Sequence, residues 1–325
     1  MQSRLIVNPV SGSDSAPNFL QTINERLRER VGEMDIVMTV AAGDAIRAAE
    51  QAAEKGFTNI FVAGGDGTLN EAVNGVAQVA DALSQVTFGL VPLGTGNDFA
   101  AALGLPEDVE GAIDTILAGN VIEADLCSLN ERFFINVSAG GFIAEVSSAV
   151  NPELKMLTGK FAYLIGGAQV LLDYEPVGGR FTIIAEDGTS AERTAHVQMF
   201  AVCNSRMVGG GRLIAPHAVI DDGLFDCCLV ESMPTLDFIS LLTRVSGGDH
   251  LDDERVSYFR ARELEILFER TIKVNTDGEV LEADHCRYSI RRHAVRFFAG
   301  QATFAARHSE RQVGVPENSS SSFME

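Results

Sequence analysis

The run Gly64-Gly65-Asp66-Gly67-Thr68 constrains this chain more than any other stretch. It follows an apolar segment, Ile60-Phe61-Val62-Ala63, and precedes the helix-forming Leu69-Asn70-Glu71-Ala72-Val73. A strand that breaks into glycines and then opens a helix is the geometry of a phosphate cradle. Backbone can approach an anion there, and the helix start presents unpaired N–H groups. A carboxylate inside such a cradle makes chemical sense when a divalent cation stands between acid and phosphate. A second loop repeats the pattern. Pro92-Leu93-Gly94-Thr95-Gly96-Asn97-Asp98 follows Phe88-Gly89-Leu90-Val91 and precedes Phe99-Ala100-Ala101-Ala102-Leu103. Helix capping alone is the plainer reading of Asp66 and Asp98. It leaves the flanking glycines unexplained, so the cradle reading is preferred.

Up to about residue 125 the chain alternates short apolar strands with helices. Strands are expected over Arg4 to Asn8, Asp35 to Thr39, Asn59 to Ala63 and Thr87 to Val91, and helices over Asn18 to Val31, Asp44 to Lys55 and Leu69 to Val79. That order implies an α/β domain with a parallel sheet covered on both faces, binding ligands beyond the carboxyl ends of its strands. From about Cys127 the texture changes to strand-like segments separated by turn signals such as Asp187-Gly188, Asp222-Gly223 and Asp277-Gly278. Phe133 to Val137, Arg180 to Ala185, His196 to Cys203, Phe225 to Val230, Glu263 to Phe268, Thr271 to Asn275 and Arg287 to Arg292 are expected strands, with helices near Leu154 to Leu172 and Leu236 to Val245. The expected division is an α/β domain over 1–125, a mainly antiparallel β-sandwich over 126–306 and a disordered tail over 307–325.

With 325 residues, 46% of them hydrophobic and 22% charged, each domain can bury its own core. The net charge of −20 argues against nucleic acid and means that a polyanionic ligand needs backbone amides and a cation. The five cysteines show no C-x-x-C spacing and are expected to be buried, reduced thiols. Phe161 to Leu172 is too short to span a bilayer, and Met1-Gln2-Ser3-Arg4 runs straight into a strand-like segment; a cytoplasmic location is expected. The scattered histidines have no Ser or Cys partner that would suggest a hydrolase triad.

In addition, the ordered motifs resemble the diacylglycerol kinase catalytic-domain family, in particular the soluble bacterial lipid kinases that are similar to sphingosine kinases. The resemblance covers about residues 3–300. It rests on Asn8-Pro9-Val10-Ser11-Gly12, the two glycine loops through Glu71 and Phe99, Phe134-Ile135-Asn136, Gly140-Gly141-Phe142, Gly209-Gly210-Gly211 with Ala215-Pro216, Asp221-Asp222-Gly223-Leu224, and Asp277-Gly278-Glu279. It implies a first domain like those of phosphofructokinases and NAD kinases, with nucleotide in the cleft between it and the sandwich. ATP would contact Asn8, Pro9, Val10, Ser11, Gly12, Thr39, Gly65, Asp66, Gly67, Thr68, Leu69, Asn70, Glu71 and Thr95. Asp222 with the carbonyls of Val219 and Leu224 would match a structural magnesium site, and Glu279 would match the proton acceptor. Family members often carry a basic residue soon after the first Ser-Gly; here Ser13 and Asp14 stand there.

The expected activity is ATP- and Mg2+-dependent transfer of the γ-phosphoryl group to a lipid hydroxyl, with diacylglycerol as first acceptor, at the inner membrane face. Asp66 and Asp98 are the expected cation-holding acids, and Glu279 the expected base. Read without the resemblance, Glu279 after an Asp-Gly turn is a solvated surface residue and Asp222 an ordinary turn residue. Gly209-Gly210-Gly211, flanked by Arg206 and Arg212, reads equally as a flexible loop or as a phosphate or headgroup contact. Lys155 to Leu172 reads as a core helix, or as a helix bordering lipid entry with Lys155 and Lys160 near headgroups. An NAD kinase-like enzyme and a non-catalytic nucleotide- or lipid-binding regulator are the alternatives, and the sequence leaves a homodimer open.

Overall fold

The computed structural model describes residues 2–12, 17–149 and 174–301. Ser13, Asp14, the expected helix from Leu154 to Leu172 with Lys155 and Lys160, and the expected tail 307–325 lie outside the described residues.

The first part alternates as the sequence implies. Strands β1 (Ser3–Val7), β2 (Met34–Met38), β3 (Asn59–Gly64) and β4 (Thr87–Pro92) are parallel, in the order β4-β3-β1-β2. Helices α1 (Pro17–Val31), α2 (Asp44–Glu54), α3 (Asp66–Ala77), α4 (Asp98–Ala102) and α5 (Val109–Ala118) connect or follow them. β1, β3 and β4 are buried along their whole length, because side chains of alternating direction meet helices on both faces. Ile6, Ile60 and Val62 pack with Ala45 and Ala49 of α2 and Leu69 and Val73 of α3. Leu5, Val7 and Phe61 pack on the other face with Ile23 and Leu27 of α1 and Ile113 and Ile116 of α5.

The second part is antiparallel. It contains β5 (Val121–Leu129), β6 (Arg132–Phe134), β7 (Val137–Gly141), α6 (Phe142–Ala149), β8 (Val177–Ile184), β9 (Ser190–Cys203), β10 (Met207–Val208), β11 (Arg212–Leu213), β12 (Phe225–Glu231), α7 (Thr235–Arg244), β13 (Val256–Ala261), β14 (Glu263–Thr276) and β15 (Glu279–Phe298). β14 pairs with β8 through Glu263 to Phe268 and with β7 through Val274 to Thr276, so one strand serves both layers of the sandwich. Phe181, Phe200, Phe225 and Ile266 fill the interior, and α6 and α7 cover the outer face through Phe142 and Phe238.

Three expectations differ in detail. Glu263 to Phe268 and Thr271 to Asn275 form one strand, continuous through a register shift between Leu267 and Ile272. Phe133 to Val137 is broken, because the amides of Ile135 and Asn136 turn toward a carboxylate instead of a strand. β5 was not expected, and it ties the two halves together. It pairs antiparallel with β15, whose last residues join the first sheet beside β4 through Arg296 and Phe297. The register of that pair shifts between Arg291 and Val295, where His293 takes φ 54°. Buried Asp125 fills the bulge: its carboxylate accepts from His293 N at 2.7 Å and Gly223 N at 2.6 Å.

All five cysteines are buried and free, and burial pushes the thiols of Cys228 and Cys286 up to about 12.

Phe297, next to last in β15, has no exposure; its ring lies 5.7 Å from Phe88 and 5.2 Å from Phe99. Phe297→Ala is expected to lower the free energy of unfolding by about 3–5 kcal/mol in urea titration. A loss under about 1 kcal/mol would show that the returning strand adds little to the first core.

Candidate active site

The two glycine loops pack backbone on backbone. A Cβ on Gly65 would sit 3.2 Å from Gly94 Cα, and one on Gly94 would meet Gly65 Cα at 2.8 Å. Gly12, at φ +78°, closes from the side, where a Cβ would lie 2.1 Å from the Leu93 carbonyl oxygen. Only glycine lets β1, β3 and β4 end this close together. Asn8 Nδ2 then donates to Thr68 Oγ1 at 3.1 Å, linking the first loop to the start of α3.

Neither aspartate caps its own helix; each one is held by amides from elsewhere. Asp66 accepts from Asp98 N at 2.7 Å and Phe99 N at 3.3 Å, at the start of α4. Asp98, 5% exposed, accepts from Gly211 N at 2.7 Å and from Gly210 N at 3.0 and 3.1 Å on its two oxygens. The Gly209-Gly210-Gly211 run is therefore a carboxylate clamp from the second domain. Desolvation, with Asp98 and Asp277 as further negative neighbours, pushes Asp66 up to about 7. The hydrogen bonds to Asp66 and Asp98 come from backbone N–H groups, which stabilise a carboxylate without neutralising it.

The other candidate residues line the same ends of β1 to β4. Val10 is 85% exposed and Thr95 is exposed, whereas Thr39, Thr68, Leu69 and Asn70 are buried. Pro9 and Ser11 are half-buried in the first loop, and Gly67 is exposed at the first turn of α3. Glu71 reaches across to accept from Gly43 N at 3.1 Å, holding the loop after Thr39.

From the second domain, the β14–β15 hairpin arrives with a two-residue turn, Asp277-Gly278, at φ 47° and 93°. The Asp277 carboxylate accepts from Ile135 N at 2.8 Å, Asn136 N at 3.1 Å and Val137 N at 2.9 Å. Burial pushes it up to about 6 despite those three bonds. A Cβ on Gly67 would lie 3.8 Å from the Asp277 carbonyl oxygen, so the turn touches the start of α3. Glu279, next along the hairpin, is half-buried and ion-paired with Arg132. Asp222 stands apart from this group. It accepts from Leu224 N at 3.0 Å and from the Arg260 guanidinium, and desolvation raises its pKa. Val219 is half-buried and Leu224 buried beside it. Among the described residues no three His, Cys, Asp or Glu side chains converge as a ready-made metal cage.

Sequence reasoning missed the work of Asp125, Asp277, Asn74 and Arg132. Only Asp277 carried a local signal, an Asp-Gly pair suited to a tight hairpin. The partners of the other three lie from 59 to 168 residues away in the chain or, for Arg132, on a different hairpin.

A glycine-lined α/β domain with two loop acids, one of them gripped by a following β-sandwich, is the architecture of a two-domain kinase. Residues 2–129 match the family model of the diacylglycerol kinase catalytic domain, and residues 136–299 match the YegS C-terminal NAD kinase beta sandwich-like domain. A Bacillus subtilis protein named diacylglycerol kinase is 33% identical over 279 residues, 86% of this chain and 89% of its own. A Staphylococcus epidermidis protein of the same name is 35% identical over 278 residues, 86% of this chain and 85% of its own. Two solved structures from Bacillus anthracis strain Sterne share the fold. One, a diacylglycerol kinase, gives a TM-score of 0.70 at 24% identity, covering 93% of this chain and 98% of its own. The other gives 0.76 at 26% identity, covering 93% and 97%. This chain belongs to the diacylglycerol kinase family and is a kinase.

The raised Asp66 has a signed consequence. Between its unfolded value of 3.8 and its folded value of about 7, the native state holds a proton that the unfolded state has lost. Stability therefore falls as pH rises through that window. Asp66→Asn lacks this loss, so its stability relative to wild type should climb between pH 4 and pH 8, by up to about 1.4 kcal/mol per pH unit. A difference that stays flat with pH in urea titrations would remove the case for a desolvated, cation-poor carboxylate.

Proposed function

We propose that this kinase transfers the γ-phosphoryl group of ATP, with Mg2+, to the hydroxyl of a membrane lipid, diacylglycerol first among them. The observation that carries the reading is the carboxylate pair of half-buried Asp66 and buried Asp98, held by amides at the meeting of two glycine loops with the sandwich. Such a pair favours a divalent cation, and a cation there suits an acidic protein that must hold a triphosphate. The names of the relatives support the acceptor.

In this reading the nucleotide runs along Asn8 to Gly12, Thr39, Gly65 to Glu71 and Thr95. Asp66 and Asp98 would hold Mg2+, directly or through water, and the ion would supply neutralisation of phosphate charge. The chain's own work is positioning. Backbone N–H groups at the start of α3 orient phosphate oxygens. The acceptor oxygen attacks the γ-phosphorus, its proton passes to a Glu279 carboxylate oxygen, and ADP leaves. Asp222 with the carbonyls of Val219 and Leu224 is proposed as a structural cation site, where a cation would share Asp222 with Arg260. Among the described residues no helix is long and apolar enough to cross a membrane. We place the enzyme in the cytoplasm, meeting its lipid at the inner membrane surface.

The test is radiolabelled ATP with a total lipid extract and identification of the labelled species. Label in phosphatidic acid is expected; label only in a water-soluble acceptor would overturn the lipid assignment. Glu279→Gln should lower transfer by about 10²–10⁴-fold while ATP still binds. Turnover like that of wild type would remove Glu279 as the base.

A further inference from the structure

Arg132 lies outside every motif that marks this chain, yet its guanidinium pairs with Glu279. Exposed ion pairs usually contribute little, because two long side chains must be ordered in water. Arg132 differs in how it is fixed. It follows the two-residue turn Asn130-Glu131 and pairs with Leu129 across the β5–β6 hairpin. Leu129 pairs in turn with Tyr288 of β15, the strand that begins at Glu279. The next residue, Phe133, is bonded to the first domain: its C=O accepts from Asn74 Nδ2 at 2.9 Å, and its N–H donates to Asn74 Oδ1 at 3.2 Å. Asn74 is buried on α3, the helix that starts at Asp66. Beyond Phe134, Asp277 holds the amides of Ile135 to Val137. The backbone around Arg132 is thus anchored both to the helix carrying the cation-holding acid and to the hairpin carrying the base.

The guanidinium is also placed by its surroundings. Arg132 is 26% exposed along its side chain, and it lines a cleft of about 380 Å³ between α3 and β15, whose walls include Leu129, Leu281 and Ala283. Glu279, Leu281 and Ala283 alternate onto one face of β15, so Arg132 lies between the cleft and Glu279.

We propose that Arg132 is a positioning residue for phosphoryl transfer: fixed from both domains, it holds the Glu279 carboxylate in one orientation toward the acceptor. This rests on the reading of Glu279 as the proton acceptor. Loss of the guanidinium leaves the nucleotide loops intact, so the defect falls on turnover rather than on nucleotide affinity.

The test is a double-variant cycle on the full chain, following label transfer from ATP to lipid. Arg132→Gln should lower kcat about tenfold or more, a part of what a general base contributes. The KM for ATP should stay within about twofold, and the melting temperature within a few degrees, of wild type. Arg132→Lys, which keeps the charge without the planar fork, should recover part of the loss. Arg132→Gln added to Glu279→Gln should cost little more than Glu279→Gln alone, because the two groups act as a unit. A wild-type kcat in Arg132→Gln overturns the proposal while leaving Glu279 as base. So does a raised ATP KM with kcat intact, which would make Arg132 a nucleotide contact, or full additivity in the double variant. If Arg132→Gln does not fold, the same cycle with Arg132→Lys distinguishes these outcomes. If Glu279→Gln turns over like wild type, the base assignment itself fails and Arg132 has no base to position.

Discussion

Two carboxylates held by borrowed amides set the geometry of this enzyme. Asp66 is gripped by the start of α4, and Asp98 by the glycines of the second domain. The relay stitches the loop after β3, the loop after β4 and the sandwich into one wall. It concentrates negative charge beside the glycine loops, and amide dipoles offset that charge only in part. Desolvation lifts the Asp66 carboxyl toward neutrality. In the proposed function a cation would complete this site and would tie affinity for the nucleotide to the metal that accompanies it.

The second constraint is covalent continuity. β15 starts at Glu279 in the site and ends at Phe298 in the first core, against Phe61. Asp125 pins its bulge, and Asp277 pins the turn that precedes it. The proposed base is therefore attached by its own strand to the domain that holds the proposed cation acids. Phosphoryl transfer depends on alignment more than on covalent chemistry, and such a strand supplies alignment.

Much of this was legible in the chain. Alternating apolar runs and helices gave the parallel sheet, because a strand buried on both faces reads as continuous Val, Ile, Leu and Phe. Both glycine loops were recognisable as strand-to-helix junctions, since glycines before an acid and a helical run have few other uses. The reach of Asp98 to Gly210, and of Asn74 to Phe133, was not legible, because nothing local to either residue names a partner. β5 escaped notice for the same reason: its partner strand lies more than 150 residues further on. Glu279 was ambiguous by residue type alone, and only the family resemblance marked it.

The central claim is that Asp66 is a carboxyl short of positive charge, completed by the cation of Mg–ATP. Calorimetric titration of Mg–ATP at pH 7, in buffers of different ionisation enthalpy, tests it directly. With Asp66 near 7, binding should expel about half a proton more from wild type than from Asp66→Asn. Equal proton counts in the two proteins would mean that the cation settles elsewhere, and the account of the site would have to be abandoned.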